Sequence, residues 1–240
     1  MRTRLGLAAA TVLAGAALVL SACASAPAAP NTAGPSDAPK TTAPEVTETL
    51  EAAWLDNGRM FAVVTWGSST CIPIAGDVTA SGQDVTVTLQ DPPENTACTS
   101  DLRPRATIVG LPEGVKATED VKVTVVLGDQ SHTTELDGDA TLTGAGGQPT
   151  DYLPSAGWFD DEGIVLLTWG SSTCVPVIES VEETPSNVTV TFTANEGKPC
   201  TMDMSPRATI IGVSDAVDDD AVTLTLVGDN LDGTVTVIGG

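Results

Sequence analysis

Apolar and polar residues alternate along several short segments of the chain. Valine and leucine alternate with threonine in residues 85–89, and the same period of two recurs in residues 121–127, 188–192 and 222–226. A period of two is that of a strand with one buried and one exposed face. We count about seven such strands in each half of the chain and no convincing helix, so the sequence predicts an all-β fold.

The predicted strands are short and separated by turn residues. Asp56-Asn57-Gly58 stands between two apolar runs and predicts a tight hairpin, because Asn-Gly readily adopts the positive φ angles of a type I′ turn. About ninety residues per half suit a small antiparallel β-sandwich or a partly open barrel. An immunoglobulin-like topology is one option, but the cysteines do not occupy the two strands that such a fold requires.

The two halves of the chain are copies of one unit. The heptapeptide at residues 65–71 recurs unchanged at residues 168–174, and residues 98–108 match residues 200–210. Matches that extend over both halves indicate a duplicated domain.

The ends of the copies are less alike. We align Leu136-Asp137-Gly138 with Leu231-Asp232-Gly233, which places a longer loop around His132 in the first copy. A Gly- and Pro-containing stretch between the copies predicts a linker, and each copy is expected to fold by itself. The predicted organisation is a first β module at 51–147, a linker at 148–154 and a second β module at 155–240.

The chain begins with Arg2 and Arg4, followed by an uncharged stretch that ends at Leu20. This stretch is short for a stable membrane span and is typical of the core of a signal peptide. Leu20-Ser21-Ala22-Cys23 resembles the bacterial lipobox, which implies lipid transfer to Cys23 Sγ and removal of residues 1–22. The alternative is an ordinary secretory signal cleaved after Ala26.

Residues 23–50 are rich in Ala, Pro, Thr and Ser and show no apolar periodicity. Such a composition cannot bury enough apolar surface to order itself. We therefore expect a disordered, semi-extended tether that starts at the lipidated cysteine and holds the two modules away from the membrane.

Four of the five cysteines form two matched pairs, Cys71 with Cys98 and Cys174 with Cys200, at nearly equal spacings. In an exported protein such pairs predict one disulfide per module. Cys23 is left without a partner, which agrees with lipid attachment. A four-cysteine metal site is the alternative, but close cysteine pairs and histidine ligands are missing.

Each disulfide would tie a Gly-Ser-Ser-Thr loop to a Cys-Thr-x-Asp loop. One interpretation is a hydrogen-bonding patch for a glycan or peptide, with a tryptophan as an apolar platform. The interpretation that we favour is structural: the hydroxyls satisfy backbone groups, the aspartate pairs with the arginine, and the tryptophan covers the disulfide. The candidate residues are Trp66, Ser68, Ser69, Thr70, Thr99, Asp101 and Arg105 in the first copy, and Trp169, Ser171, Ser172, Thr173, Thr201, Asp203 and Arg207 in the second.

The formal net charge of −22 limits the choice of partners. Nucleic acid binding needs a basic footprint, and the few Lys and Arg residues are scattered. Anionic lipid headgroups would repel the chain, so membrane association would depend on the lipid anchor. Strong like charge also opposes self-association, and we expect a monomer.

Catalysis finds little support, because His132 is the only histidine and a Ser-His-Asp arrangement would have no base in the second copy.

Acidic runs at 160–162, 218–220 and 229–233 offer oxygen ligands for Ca²⁺ but lack the spacing of an EF-hand loop. We expect no catalytic residue, no cofactor and no bound metal. A Ca²⁺-dependent adhesion module and an envelope hydrolase are the alternatives.

By its Trp-Gly-Ser-Ser-Thr-Cys-x-Pro motifs at 66–73 and 169–176, and by its lipobox, the chain resembles uncharacterised lipoproteins of Gram-positive, actinobacterial bacteria. The resemblance implies a lipid-anchored protein on the extracytoplasmic face of the cell membrane and brings no activity with it. The expected function is non-enzymatic binding or a structural role in the cell envelope, with a cell-wall component or an envelope protein as partner.

Overall fold

The computed structural model describes residues 50–195, 197, 199–217 and 221–239. The predicted all-β fold is confirmed: each copy has seven strands, and the only helical element among the described residues is a 3-10 turn at Asp56–Gly58. The first copy contains β1 (Glu51–Leu55), β2 (Met60–Gly67), β3 (Ile74–Ser81), β4 (Asp84–Gln90), β5 (Arg103–Gly110), β6 (Val121–Leu127) and β7 (Gln130–Leu136). The second contains β8 (Ser155–Asp160), β9 (Gly163–Gly170), β10 (Val177–Thr184), β11 (Asn187–Thr193), β12 (Ser205–Gly212), β13 (Thr223–Val227) and β14 (Gly233–Ile238).

Several sequence-based predictions lie outside the described residues. These are the signal peptide at 1–22, the lipid attachment at Cys23, the tether up to residue 49 and the acidic run at 218–220. Across the described part of the chain, no helix has the length and hydropathy needed to cross a membrane.

Each copy is a sandwich of one three-stranded and one four-stranded sheet. The first copy has the strand orders β1-β2-β5 and β3-β4-β6-β7. The second copy repeats these orders as β8-β9-β12 and β10-β11-β13-β14, and a short parallel pairing of β14 with β8 joins them into one seven-stranded sheet. The neighbours β4 and β6, like β11 and β13, pair in parallel. An immunoglobulin topology, built from antiparallel sheets, contains no such pair.

The alternating segments place their apolar faces between the two sheets of a copy. In β4, Val85, Val87 and Leu89 are buried, whereas the threonines between them are partly exposed. They pack against Phe61 and Val63 from the opposite sheet in one cluster. The second copy contains the corresponding cluster, so the period of two predicted the core-facing side of these strands correctly.

The central strands β2 and β9 are buried on both faces. Their sequences are almost continuously apolar, which is the pattern of a strand covered on both sides. In β9, Ile164 and Leu166 face the core of the second copy, whereas Val165 and Leu167 belong to a different cluster. We term it the shared cluster, because its buried members come from both copies: Ala53, Leu55, Ala62, Val64, Ala106, Phe159, Val165 and Leu167.

Strands β1 and β8 lie side by side where the copies meet. The backbone N–H of Asp56 donates to Ser155 Oγ at 2.8 Å. Closer to the middle of the strands, a Cβ atom built on Gly157 would lie 2.2 Å from the carbonyl oxygen of Trp54. Residue numbers therefore rise along β1 as they fall along β8, which makes the two strands antiparallel. The absent side chain at Gly157 permits this close approach.

The hairpin between β1 and β2 is present, but its turn is longer than the predicted type I′ turn. Asp56, Asn57 and Gly58 have consecutive positive φ angles of 50°, 54° and 85°. The buried Asp56 carboxylate accepts hydrogen bonds from Arg59 Nε and Nη2, each at 3.0 Å. This bidentate contact stabilises the longer turn.

The predicted alignment of the final strands was wrong. His132 lies on β7, paired with Val125 of β6, and not in a loop. Leu136-Asp137-Gly138 begins at the end of β7, whereas Leu231-Asp232-Gly233 leads into β14. The β6–β7 connection is a tight turn at Gly128, so the longer connection belongs to the second copy. The similar tripeptides thus stand at opposite ends of equivalent strands.

The segment between the copies packs along the first copy. Asn57 Nδ2 donates to Thr143 Oγ1 at 2.8 Å, and the N–H of Gly144 donates to the Asn57 carbonyl at 2.8 Å. Arg59 Nη2 lies 2.6 Å from Asp151 Oδ2. The chain is therefore attached to the β1–β2 turn at several points before β8 begins.

Candidate functional site

Both predicted disulfides are present, at Cys71–Cys98 and Cys174–Cys200. Each joins the loop after the central strand of the three-stranded sheet to the loop before that sheet's last strand. We term these paired loops the disulfide tips. The first tip comprises residues 68–74 and 98–102, and the second comprises residues 171–177 and 200–204.

A threonine hydroxyl lies at the centre of each tip. Thr99 Oγ1 is 2.9 Å from Ser68 Oγ, 3.4 Å from Ser69 Oγ and 3.3 Å from Thr70 Oγ1, and it donates a short hydrogen bond to Asp101 Oδ1. Thr201 makes the same contacts in the second tip, with Ser171, Ser172, Thr173 and Asp203. The structure thus brings the predicted hydroxyls and aspartates together in both copies.

The two tip aspartates are held in their ionised form. Hydrogen bonds from Thr99 and then Ser69 keep the pKa of Asp101 well below its usual range. Hydrogen bonds from Thr201 and then Ser172 do the same for the pKa of Asp203. Because a hydrogen bond to a carboxylate favours its charged form, both side chains carry a negative charge at neutral pH.

The structural interpretation predicted that the tip arginines pair with these aspartates, and this prediction was wrong. Arg105 Nη1 donates to the carbonyl of Cys71 at 2.6 Å, and Arg207 Nη1 donates to that of Cys174 at 2.8 Å. The ion pairs found among the described residues do not include either arginine. Each arginine therefore supports the backbone behind the disulfide, and the aspartate is bound by hydroxyls and a backbone N–H instead.

The motif tryptophans, Trp66 and Trp169, are partly buried. The Nε1 atom of each is buried without a hydrogen-bond partner in the described structure. Tyr152 packs edge-on against Trp169, with ring centroids 5.0 Å apart. Each ring is therefore partly open to solvent while its nitrogen is not, and the aromatic platform stays a prediction. The hydroxyls, the aspartates and the apolar residues around them are further possible contacts.

Uncovered apolar side chains surround both disulfides. Ile74 is 63% exposed and Met204 is 62% exposed, although such side chains usually lie inside a fold. Most of these positions are apolar and exposed in both copies. Scattered single apolar residues on a surface need no explanation, but the same exposed positions in two copies do. The set is Ile72, Ile74 and Leu102 in the first tip, and Val175, Val177, Met202 and Met204 in the second.

The tips lie at opposite ends of the paired copies. Glu51 at the start of β1 pairs with Val64 near the end of β2, so the first tip extends beyond Glu51. Ser155 at the start of β8 pairs with Leu167 near the end of β9, so the second tip extends beyond Ser155. Since β1 and β8 are antiparallel, these two starting points lie at opposite ends.

A cleft of about 360 Å³ opens where β1, β7 and β8 come together, and we term it the seam cleft. Its apolar lining includes Trp54, Trp158 and Phe159, which are all buried. Its lining contains no Lys, Arg or His side chain. Five carboxylates from both copies surround it: Glu51, Glu135, Asp137, Asp160 and Asp161.

Two of these carboxylates have perturbed acidity. Burial and then the nearby Asp160 raise the pKa of Glu51. Burial, with a contribution from Asp161, raises the pKa of Asp160, although a hydrogen bond from Glu162 opposes this. Burial and like charge both disfavour the ionised form. Carboxylates in such an environment within a cleft are candidates for a functional site.

The acidic runs considered for Ca²⁺ are used in turns where they are described. Asp160 Oδ1 accepts the N–H of Glu162, Asp229 binds the backbone and side chain of Asn195, and Asp232 accepts the N–H of Gly228. Within the described ranges, no three acidic, histidine or cysteine side chains are placed to hold a metal ion.

No family model matches the chain, and neither the curated proteins nor the solved structures include a match to it.

Sequence reasoning found the tips but missed the seam cleft. The tips are repeated motifs next to cysteines, and their loops are joined by the predicted disulfides. The cleft combines Glu51 from the first copy with Asp160 from the second, which no motif connects. Both copies carry similar segments at these positions, Trp54-Leu55-Asp56 and Trp158-Phe159-Asp160, but the sequence alone does not show that the two segments meet.

Proposed function

We propose that this chain is an extracytoplasmic, lipid-anchored protein that acts without catalysis and binds partner molecules through its two disulfide tips. The observation that carries the proposal is the chemistry repeated at each tip: a disulfide, an aspartate held ionised by hydroxyls, and uncovered apolar side chains.

The two disulfides support an extracytoplasmic location, because disulfides persist in oxidising compartments and are rare in the cytosol. They use four of the five cysteines and leave Cys23, which stands at the end of the lipobox-like segment. A lipid at Cys23 would hold a strongly acidic protein at a membrane surface that its charge alone does not favour.

The tip surface indicates the chemistry of its partner. Leu102 and Met204 can pack against apolar groups, while the hydroxyls and carboxylates accept hydrogen bonds. A cell-wall component or an envelope protein that presents an apolar surface with hydrogen-bond donors would fit both parts. Because the tips lie at opposite ends, one chain would bridge two such partners.

The chemistry of the tips argues for binding and not for catalysis. The tip aspartates are held by several hydrogen bonds, which makes them poor proton acceptors. His132 lies on β7, outside both tips, and has no counterpart in the second copy. A nucleophilic serine in either tip would therefore lack a general base.

The anchor is tested by replacing Cys23. Cys23→Ser is expected to release the protein from the membrane fraction, because the lipid provides the proposed attachment. Fractionation followed by immunoblotting measures the change, and mass spectrometry of the native N-terminus detects the acyl chains. A mature chain that starts at Ser25 or later and carries no lipid would contradict the anchor.

The tips are tested by photocrosslinking in intact cells. A photoreactive residue at Ile74 or Val177 is expected to give discrete adducts, because both side chains are exposed at the tips. Thr79 and Glu182, exposed positions further along β3 and β10, provide matched controls. Adducts that form equally at the control positions, or at none of the four, would contradict binding by the tips.

A further inference from the structure

The two disulfide tips differ in the chemistry of their exposed side chains. Residues 98–102 of the first tip align with residues 200–204 of the second, so Met202 and Met204 stand where the first tip has Ser100 and Leu102. Methionine carries a thioether sulfur that peroxides oxidise, whereas serine and leucine have no such group. The second tip therefore combines its apolar surface with thioether sulfur, and the first tip does not.

Both methionines of the second tip are open to a dissolved oxidant. Met202 is fully exposed, and Met204 is 62% exposed. The other methionine in the described part of the chain is Met60, which is partly buried and packs against the shared cluster. Because the oxidation of methionine follows its exposure, we expect the two tip methionines to react well before Met60.

The cysteines of the tips do not compete for the oxidant. All four are joined in disulfides, and the group of cysteine that a peroxide attacks is the free thiolate. The thioethers are therefore the groups at the second tip that react most readily with a peroxide. In an extracytoplasmic protein they would be exposed to any peroxide in the surroundings of the cell.

The reaction needs only a thioether and hydrogen peroxide. A sulfur lone pair attacks one peroxide oxygen, the O–O bond breaks, an S–O bond forms, and water leaves. The sulfur loses an electron pair and the peroxide gains it, so methionine is oxidised to its sulfoxide and the peroxide is reduced. The sulfoxide is polar, and oxidation therefore turns an apolar contact surface into a polar one.

We infer that Met202 and Met204 form an oxidation site, at which hydrogen peroxide makes the second tip polar and weakens its binding of an apolar partner surface. The loss of binding rests on the proposed function of the tips, whereas the oxidation does not. The first tip keeps its apolar surface, since Ile72, Ile74 and Leu102 contain no sulfur. A chain that bridges two partners would then release the partner at its second tip only.

The oxidation site is tested by treating the purified chain with hydrogen peroxide and mapping its peptides by mass spectrometry. Sulfoxide is expected to form at Met202 and Met204 at least about tenfold faster than at Met60, which is partly buried. A sample unfolded in guanidinium should react at similar rates at all three methionines, which separates exposure from intrinsic reactivity. Equal rates at the three methionines of the folded chain would overturn the site.

The effect on binding is tested by photocrosslinking in cells treated with hydrogen peroxide. The yield of adducts at Val177 is expected to fall by about tenfold, because the apolar contacts of two neighbouring side chains are lost. Adducts at Ile74 in the first tip should persist. An unchanged yield at Val177, although both Met202 and Met204 are oxidised, would overturn the loss of binding.

Variants separate the tip methionines from other effects of peroxide on the cell. Met202→Leu combined with Met204→Leu keeps the apolar surface and removes both sulfurs, so adducts at Val177 should survive the treatment. Met204→Gln introduces a polar side chain and should lower the yield at Val177 without peroxide. An equal loss of adducts in the double leucine variant and the native chain would overturn the proposal. Absence of adducts at both Ile74 and Val177 before treatment would contradict binding by the tips, and with it the loss of binding, whereas the mass spectra decide the oxidation site alone.

Discussion

Expressed without its neighbour, either copy is expected to lose its cooperative unfolding transition or to self-associate. The isolated second copy would expose Phe159, Val165 and Leu167, which are buried in the shared cluster. Exposing three such side chains costs roughly 5 kcal/mol or more, which is comparable to the entire stability of a small domain. Circular dichroism melts of fragments 51–147 and 151–240 measure the effect.

This expectation replaces the sequence-based one, in which each copy folds by itself. Cooperative melting of both fragments at the temperature of the intact chain would contradict it. In the intact chain, Leu167→Asp should cause a similar loss, because it places a charge inside the shared cluster. Val227→Asp makes the same substitution at an exposed position of the second copy and should be tolerated.

Removing one disulfide is the second large effect. Cys71→Ser combined with Cys98→Ser is expected to lower the free energy of unfolding by about 3–4 kcal/mol, since the bridge closes a long loop in the unfolded chain. The bond joins residues 27 apart in sequence, and the second bond joins residues 26 apart, so Cys174→Ser with Cys200→Ser should have a similar effect. Guanidinium unfolding monitored by fluorescence measures both.

The control for the disulfide experiment is Cys23→Ser, which removes a cysteine that takes no part in either bridge. It should leave the unfolding midpoint unchanged. A loss below about 1 kcal/mol in either double variant would mean that the tip is held by its hydrogen bonds alone. Loss of the bridge should also separate Thr99 from Ser68, because these residues lie in the two loops that it joins.

The copies share a fold but differ in how well their buried polar groups are satisfied. Thr107 Oγ1 donates to the carbonyl of Pro73 in the first copy, whereas the equivalent Thr209 has no partner in the described structure. Trp54 and Trp158 differ in the same direction. Each unpartnered buried group costs about 1–3 kcal/mol. Unpartnered buried groups are therefore expected to destabilise the second copy more than the first within the intact chain.

The candidate sites differ in how far the sequence could predict them. At the tips, cysteine spacing and repeated hydroxyl residues were enough to place Thr99 near Ser68 and Asp101. The predicted pairing of Asp101 with Arg105 was wrong. Asp101 accepts the N–H of Ser69, whereas Arg105 donates to the carbonyl of Cys71. Opposite charges at nearby sequence positions do not show which partners the two side chains contact. Nothing in the sequence marked the seam cleft.

By itself, the sequence determined the strands, the duplication and the disulfides. These features depend on period-two burial and on residue spacing, which a single chain records locally. Only the tertiary structure decided that β1 lies antiparallel to β8 and that β2 and β9 are covered on both faces. It thereby placed the tips at opposite ends and Glu51 beside Asp160. Such contacts depend on which outer faces of the two sandwiches pack together. Apolar side chains in a sequence indicate that a face is buried, but they do not indicate which other face covers it, because the hydrophobic effect is not directional.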